Sequence, residues 1–175
     1  MKIMAKVVIA TAVLAGGLLG MYVTPNMGEA AKTTNAADEQ NHQQTIKDTV
    51  KLAKQGKTIN SEKFGVFSKG SEIRNQWGQP DQGSDENYFY YSNRQIGFVL
   101  KQNRVVWITS YDKKFNNITV PEVKKAAGEP QKVKAGEDAY YLEYKKGIYV
   151  LEFAFYYDDQ GEKPETLKEV YVHLP

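Results

Sequence analysis

Three pairs of adjacent carboxylates are the residues of this sequence best suited to bond-breaking chemistry. They are Asp85-Glu86, Glu137-Asp138 and Asp158-Asp159. Two carboxyls at the right separation form the acid and base of a glycoside hydrolase. Yet the first two pairs flank the turn before a strand at equivalent positions of two similar segments, which favours a shared structural cause. Asp158-Asp159-Gln160-Gly161-Glu162 lacks the ligand spacing of a calcium loop and is expected to be a polar hairpin loop. Only His42 and His173 occur, neither spaced from a serine as a nucleophile-activating base must be. With no cysteine and no histidine pair, zinc has no ligand set, and no glycine loop could cradle a phosphate. The expectation is a protein with no catalytic residues, no metal and no cofactor. A hydrolase built on the paired carboxylates is the alternative.

The aromatic residues offer a different chemistry, that of recognition. Tyrosine and tryptophan present large contact areas at little entropic cost and dominate binding hot spots. The sequence holds 12 Tyr and 2 Trp. Whether they pack or bind depends on which strand face they occupy, and a duplicated phrase supplies the comparison. Ser71-Glu72-Ile73-Arg74-Asn75-Gln76-Trp77-Gly78-Gln79-Pro80 returns as Pro121-Glu122-Val123-Lys124-Lys125-Ala126-Ala127-Gly128-Glu129-Pro130. A period of about fifty residues marks a repeated supersecondary unit.

Each copy reads as a short amphipathic helix stopped by Gly-x-Pro and followed by strands. Strands are expected at 88–92, 96–101 and 105–111, then at 139–144, 148–157 and 167–174. Thr119-Val-Pro-Glu122 reads as a capping box. Side chains alternate across a sheet, so aligning the copies separates the faces. Val106 and Ile108 match Val170 and Val172 and should face the helices. Phe89 and Tyr91 match Ala139 and Tyr141. Tyr90, Trp107, Tyr140 and Tyr171 should then share the opposite face. The middle strands are apolar on both sides and take no orientation from this comparison.

The chain divides into an N-terminal segment, a spacer and one folded domain. Lys2 and Lys6 precede the uncharged run 7–23, then Thr24-Pro25-Asn26 and the small-residue site Gly28-Glu29-Ala30, the layout of a secretory signal peptide over 1–30. An uncleaved membrane anchor is the alternative. Residues 31–44 hold no large apolar side chain and are expected to be a disordered spacer. The folded domain spans 45–175: a helix at 45–56 with Ile46, Val50 and Ala53 on one face, repeat one at 68–112, and repeat two at 119–175. The stretch left after 1–30 is long enough to bury roughly 68–70% of its unfolded surface without disulfides.

Charge excludes nucleic acid as a partner. Lys and Arg number 23 against 21 Asp and Glu, for a formal net charge of +2. Lysine pairs at 113–114, 124–125 and 145–146 are scattered, and Arg74, Arg94 and Arg104 form no basic stripe. The absence of cysteine excludes a lipoprotein, and an exported, disulfide-free, lysine-rich chain points to a Gram-positive source.

Trp77-Gly78-Gln79-Pro80-Asp81, the strand end Ile108-Thr109-Ser110-Tyr111-Asp112, and the second Gly-x-Pro unit together resemble the YjgB-like family of exported bacillar proteins, built on a domain of unknown function. The helix end Leu52-Ala53-Lys54-Gln55-Gly56-Lys57 fits it too, and the resemblance covers about residues 45–174. More distantly, the doubled unit is similar to beta-lactamase inhibitory protein and to small outer-membrane assembly lipoproteins, without the disulfides of the first or the lipid-bearing cysteine of the second. The resemblance implies an α+β fold of two tandem units, each a helix plus a three-stranded antiparallel sheet. The expected function is an exported, non-catalytic binding protein of the cell envelope that engages a protein or wall polymer through Tyr90, Trp107, Tyr140 and Tyr171. It would touch the membrane only through an uncleaved signal segment. A purely structural accessory with that face buried is the remaining alternative.

Overall fold

The computed structural model describes residues 36–175. The expected signal segment and residues 31–35 lie outside the described residues. The elements are helices α1 (Ala36–Ala53), α2 (Gly70–Trp77) and α3 (Val120–Ala127), and strands β1 (Tyr88–Tyr91), β2 (Ile96–Lys101), β3 (Arg104–Ser110), β4 (Lys132–Ala135), β5 (Tyr140–Lys146), β6 (Tyr149–Tyr157) and β7 (Pro164–His173). The fold is α+β: one seven-stranded sheet in the order β1-β2-β3-β7-β6-β5-β4, antiparallel throughout. The seam is β3–β7, where Trp107 pairs with His173 and Ile108 with Val172.

α1 begins nine residues before the expected start at Thr45, so the spacer reading fails for 36–44. Hydrophobicity is a poor guide there because polar contacts dock the segment. His42 Nδ1 lies 2.8 Å from Glu122 Oε1, Lys125 reaches Glu39 at 2.6 Å, and Gln43 donates to the Glu122 carbonyl at 3.4 Å. Asp38 and Glu39 also sit in the first turn, where the helix dipole favours negative charge. Ile46, Thr49 and Ala53 are buried along the inner face. Gly56 follows with a φ of +70°, reversing the chain.

The two Gly-x-Pro stops share one backbone geometry. Gly78 has φ 85° and ψ −171°, Gly128 φ 84° and ψ −173°. Only glycine occupies that region readily. The constraint is conformational rather than spatial, since a Cβ at either site would meet nothing within 4 Å. Each carbonyl then accepts a tyrosine hydroxyl: Tyr91 donates to Gly78 at 3.0 Å, and Tyr144 to Gly128 at 2.9 Å. Below the stops, Ile73 and Val123 are fully buried. Thr119 and Glu122 form the expected capping box, with the Thr119 amide donating to Glu122 Oε2 at 2.8 Å.

The core lies between the helices and one sheet face: Ile96, Phe98, Leu100, Ile108, Leu142, Leu151, Phe153, Phe155, Val170 and Val172 are all buried there. This orients the middle strands and leaves Val99, Glu152 and Ala154 on the opposite face. Val106 departs from expectation. A bulge in the β2–β3 pairing sets Val99 against Trp107 but Leu100 against Val105. The extra residue is Val106, so Val105 takes the core position and Val106 is only half-buried.

β4 was not expected. Its sequence, Lys-Val-Lys-Ala, is mostly exposed, and it closes one sheet edge with lysines, which discourage pairing with another chain. The carboxy-terminal half of the sheet thus has four strands, not three. No helix among the described residues is long and apolar enough to cross a membrane.

Candidate functional site: the open sheet face

The sheet face turned away from the helices is built from cross-strand rows. One row runs Tyr88, Val99, Trp107, His173, Val150 and Lys145; the next runs Tyr90, Gly97, Thr109, Tyr171, Glu152 and Glu143. A third carries Glu169, Ala154, Tyr141 and Lys134. Small residues sit between large ones, and the Tyr88 ring reaches over Gly97. At Gly97, a Cβ would come 3.0 Å from the Tyr88 hydroxyl, so a larger residue there would have to push that side chain aside by a few tenths of an ångström.

Trp107 anchors one cluster. His173 stacks on its indole with centroids 3.9 Å apart and planes 9° from parallel, and Tyr171 lies 5.2 Å away. Tyr141 continues the layer, 6.4 Å from Tyr171 with an interplanar angle of 27°. Trp107, Tyr141, Tyr171, Lys134 and Glu152 line a cleft of about 220 Å³.

The cleft floor is charged. Lys134 Nζ bridges Glu152 Oε1 at 2.6 Å and Glu143 Oε2 at 2.7 Å. His173 Nε2 faces the other Glu152 oxygen at 3.3 Å. Burial pushes the Glu152 carboxyl up, but hydrogen bonds to His173 and Lys134, and their charges, outweigh it and hold its pKa below 4.5. Hydrogen bonds to Glu143 and Glu152 raise Lys134 correspondingly. A buried carboxylate is tolerated only with such partners.

A second aromatic cluster lies toward the β1 edge. Tyr90 and Tyr111 meet edge to face at 6.0 Å, and Tyr88 lies close enough to influence the Tyr111 hydroxyl. Glu169 lies between the clusters. Burial first, and the neighbouring Glu169 carboxylate second, raise the Tyr171 hydroxyl pKa far above its ordinary value.

Tyr90, Trp107 and Tyr171 therefore lie on the expected face. Tyr140 does not. It pairs with Phe155 and packs against the core, and Tyr141 takes its place on the open face. The cause is a longer connection after Gly128 than after Gly78. Asp81 N–H donates to the Tyr90 carbonyl and its carboxylate accepts from Ser92 N–H; Gln131 makes the same two bonds with Glu143 and Lys145. Helix ends thus align at an offset of fifty and the strands at fifty-three, an odd slip that exchanges the faces.

Glu152, Lys134, Tyr141 and His173 were missed as site residues. Glu152 had a signal: it is the one charged residue inside the run Tyr149–Tyr157. Two of the paired carboxylates bind backbone amides. Asp85 accepts amides of Asn87 and Tyr88, both at 2.7 Å, and Asp158 those of Glu162 and Lys163 at 2.9 and 3.2 Å. Glu137 and Asp138 are exposed. Among the described residues no three acidic, histidine or cysteine side chains group to hold a metal ion.

Comparison with known proteins agrees with the segments quoted above. The crystal structure of a DUF4309 family protein, YjgB, from Bacillus subtilis subsp. subtilis str. 168 superposes with a TM-score of 0.66 over 78% of this chain and 99% of that one. Identity is 18%, so this likeness establishes the fold alone. No curated protein matches the chain. The family model described as "Domain of unknown function (DUF4309)" matches residues 46–173. With that match spanning most of the sequence, the chain belongs to the DUF4309 family.

Proposed function

We propose that this is a non-catalytic binding protein of the cell envelope or medium, working through the open face of its sheet. The observation that carries the reading is the cleft formed by Trp107, Tyr171 and Tyr141 over Glu152 and Lys134, with no helix among the described residues packed on that side. Half-buried rings over a polar floor provide contact area and directional hydrogen bonds together. Export belongs to the same reading and rests on the layout of residues 1–30. So does descent from a tandem duplication, supported by the matched Gly-x-Pro geometry and the paired Tyr91 and Tyr144 contacts.

Replacing Trp107 and Tyr171 together with alanine tests it. The double variant should lose capture of envelope material while keeping the parent's circular dichroism and a cooperative urea transition. Capture equal to the parent's by a folded double variant would sink the reading.

A further inference from the structure

Resting on that reading, we propose that the open face holds a neutral glycan strand laid across the β-strands. The first argument is charge. The ions of the cleft already satisfy one another: Lys134 sits between Glu143 and Glu152, and Glu152 also faces His173. Glu169 lies 3.6 Å from Lys168. Among the described residues no buried side-chain nitrogen or oxygen lacks a partner. An ionic ligand would have to break one of these pairs before making its own, which is costly at a buried carboxylate. A neutral polyhydroxylated ligand need only add hydrogen bonds at the exposed sides of paired groups.

The second argument is shape. Tyr141 and Tyr171 lie within 27° of parallel with centroids 6.4 Å apart and both line the cleft, so their rings supply apolar surface for the C–H groups of a pyranose. A protein partner fits less well, because protein interfaces deplete charge at their centres and this cleft centres on Lys134 and Glu152. The third argument is extent. Tyr90 on β1 and Tyr141 on β5 are five strand steps apart. At roughly 4.8 Å per step, the aromatic strip runs about 24 Å, the reach of several linked sugars rather than one.

The test is calorimetric titration of the full chain with neutral hexasaccharides, β-1,4-linked N-acetylglucosamine and β-1,4-linked glucose. Trp107 fluorescence is followed in parallel, and the corresponding disaccharides serve for comparison. At least one hexasaccharide should bind saturably and more tightly than its disaccharide, with affinity unchanged between about 0.05 and about 0.5 M salt. Trp107→Ala should weaken it at least about tenfold; if that variant does not fold, Tyr141→Ala takes its place. Absence of saturable binding, a steep loss with salt, or full affinity in the folded variants would each overturn the proposal. If the chain binds no glycan yet Trp107→Ala/Tyr171→Ala abolishes envelope capture, the glycan assignment fails alone. If neither binding nor capture depends on these rings, both fail.

Discussion

The two helices that follow the same plan are held down differently. α2 carries Trp77 at the position where α3 has Ala127, each just before the stopping glycine. Trp77 fills its side of the core directly, with Phe64 edge-on at 5.0 Å, Tyr91 at 5.3 Å, and the Arg94 guanidinium 4.2 Å above the ring. α3 has no such side chain. α1 lies over it instead, clipped by His42 and Glu39 to Glu122 and Lys125. One half of the molecule is closed by a large residue and the other by an additional helix. The stop geometry is shared, while the covering is local to each half.

The largest expected break in this comparison is Trp77→Ala. It should cost about 3–5 kcal/mol in urea denaturation, because its cavity has no second helix to fill it. Unchanged stability would show that the loop carrying Phe64, not the indole, covers α2. Next come Gly78→Ala and Gly128→Ala, each expected to cost about 1–3 kcal/mol. Their costs should agree closely, since both arise from backbone conformation with no neighbouring atom involved. A marked inequality would mean that the halves do not share the stop.

Tyr91→Phe and Tyr144→Phe remove matched hydrogen bonds and should each cost about 0.5–1.5 kcal/mol. Burial pushes the Tyr144 hydroxyl up to about 12, so ultraviolet titration should show its ionisation well after the exposed tyrosines. Normal ionisation would contradict the buried bond to Gly128.

The smallest effect separates the two helix starts. Glu72 and Glu122 hold the same capping position, but Glu72 makes only an exposed pair with Lys69 at 3.6 Å. Burial pushes the Glu122 carboxyl up, yet the hydrogen bonds it accepts from Thr119 and His42 lower its pKa below 4.5 overall. A depressed carboxylate pKa stabilises fully above the unfolded value, near 4.5, and that stability is lost as pH falls through the folded value. Glu122→Gln should therefore flatten the acid limb of the stability profile, read from urea midpoints between about pH 3 and 6. Glu72→Gln should leave stability within about 0.5 kcal/mol.

The sequence made the α+β plan legible because its punctuation is local: Gly-x-Pro stops, a capping box and turn residues act within a few positions. The same locality explains the errors. Tyr140 and Tyr141 are distinguished by the length of the connection from Gly128, in which the exposed strand Lys132–Ala135 leaves no hydrophobic trace. Val106 is displaced by a bulge that neither β2 nor β3 announces alone. Glu152 acquires meaning only when Lys134 and His173 arrive from other strands. Trp107 and Tyr171 were legible because alternation holds on the seam itself, from Trp107 to Ser110 and from Val170 to His173.

The central claim is that binding belongs to the open face while the helix side is core and cover. Amide chemical-shift mapping of the chain titrated with soluble cell-wall fragments tests this most directly. The predicted result is a contiguous set of shifts around Trp107, Tyr171 and Tyr141. Shifts gathered instead in the groove between α1 and the 113–117 segment, around Asn41 and Asn117, would contradict it.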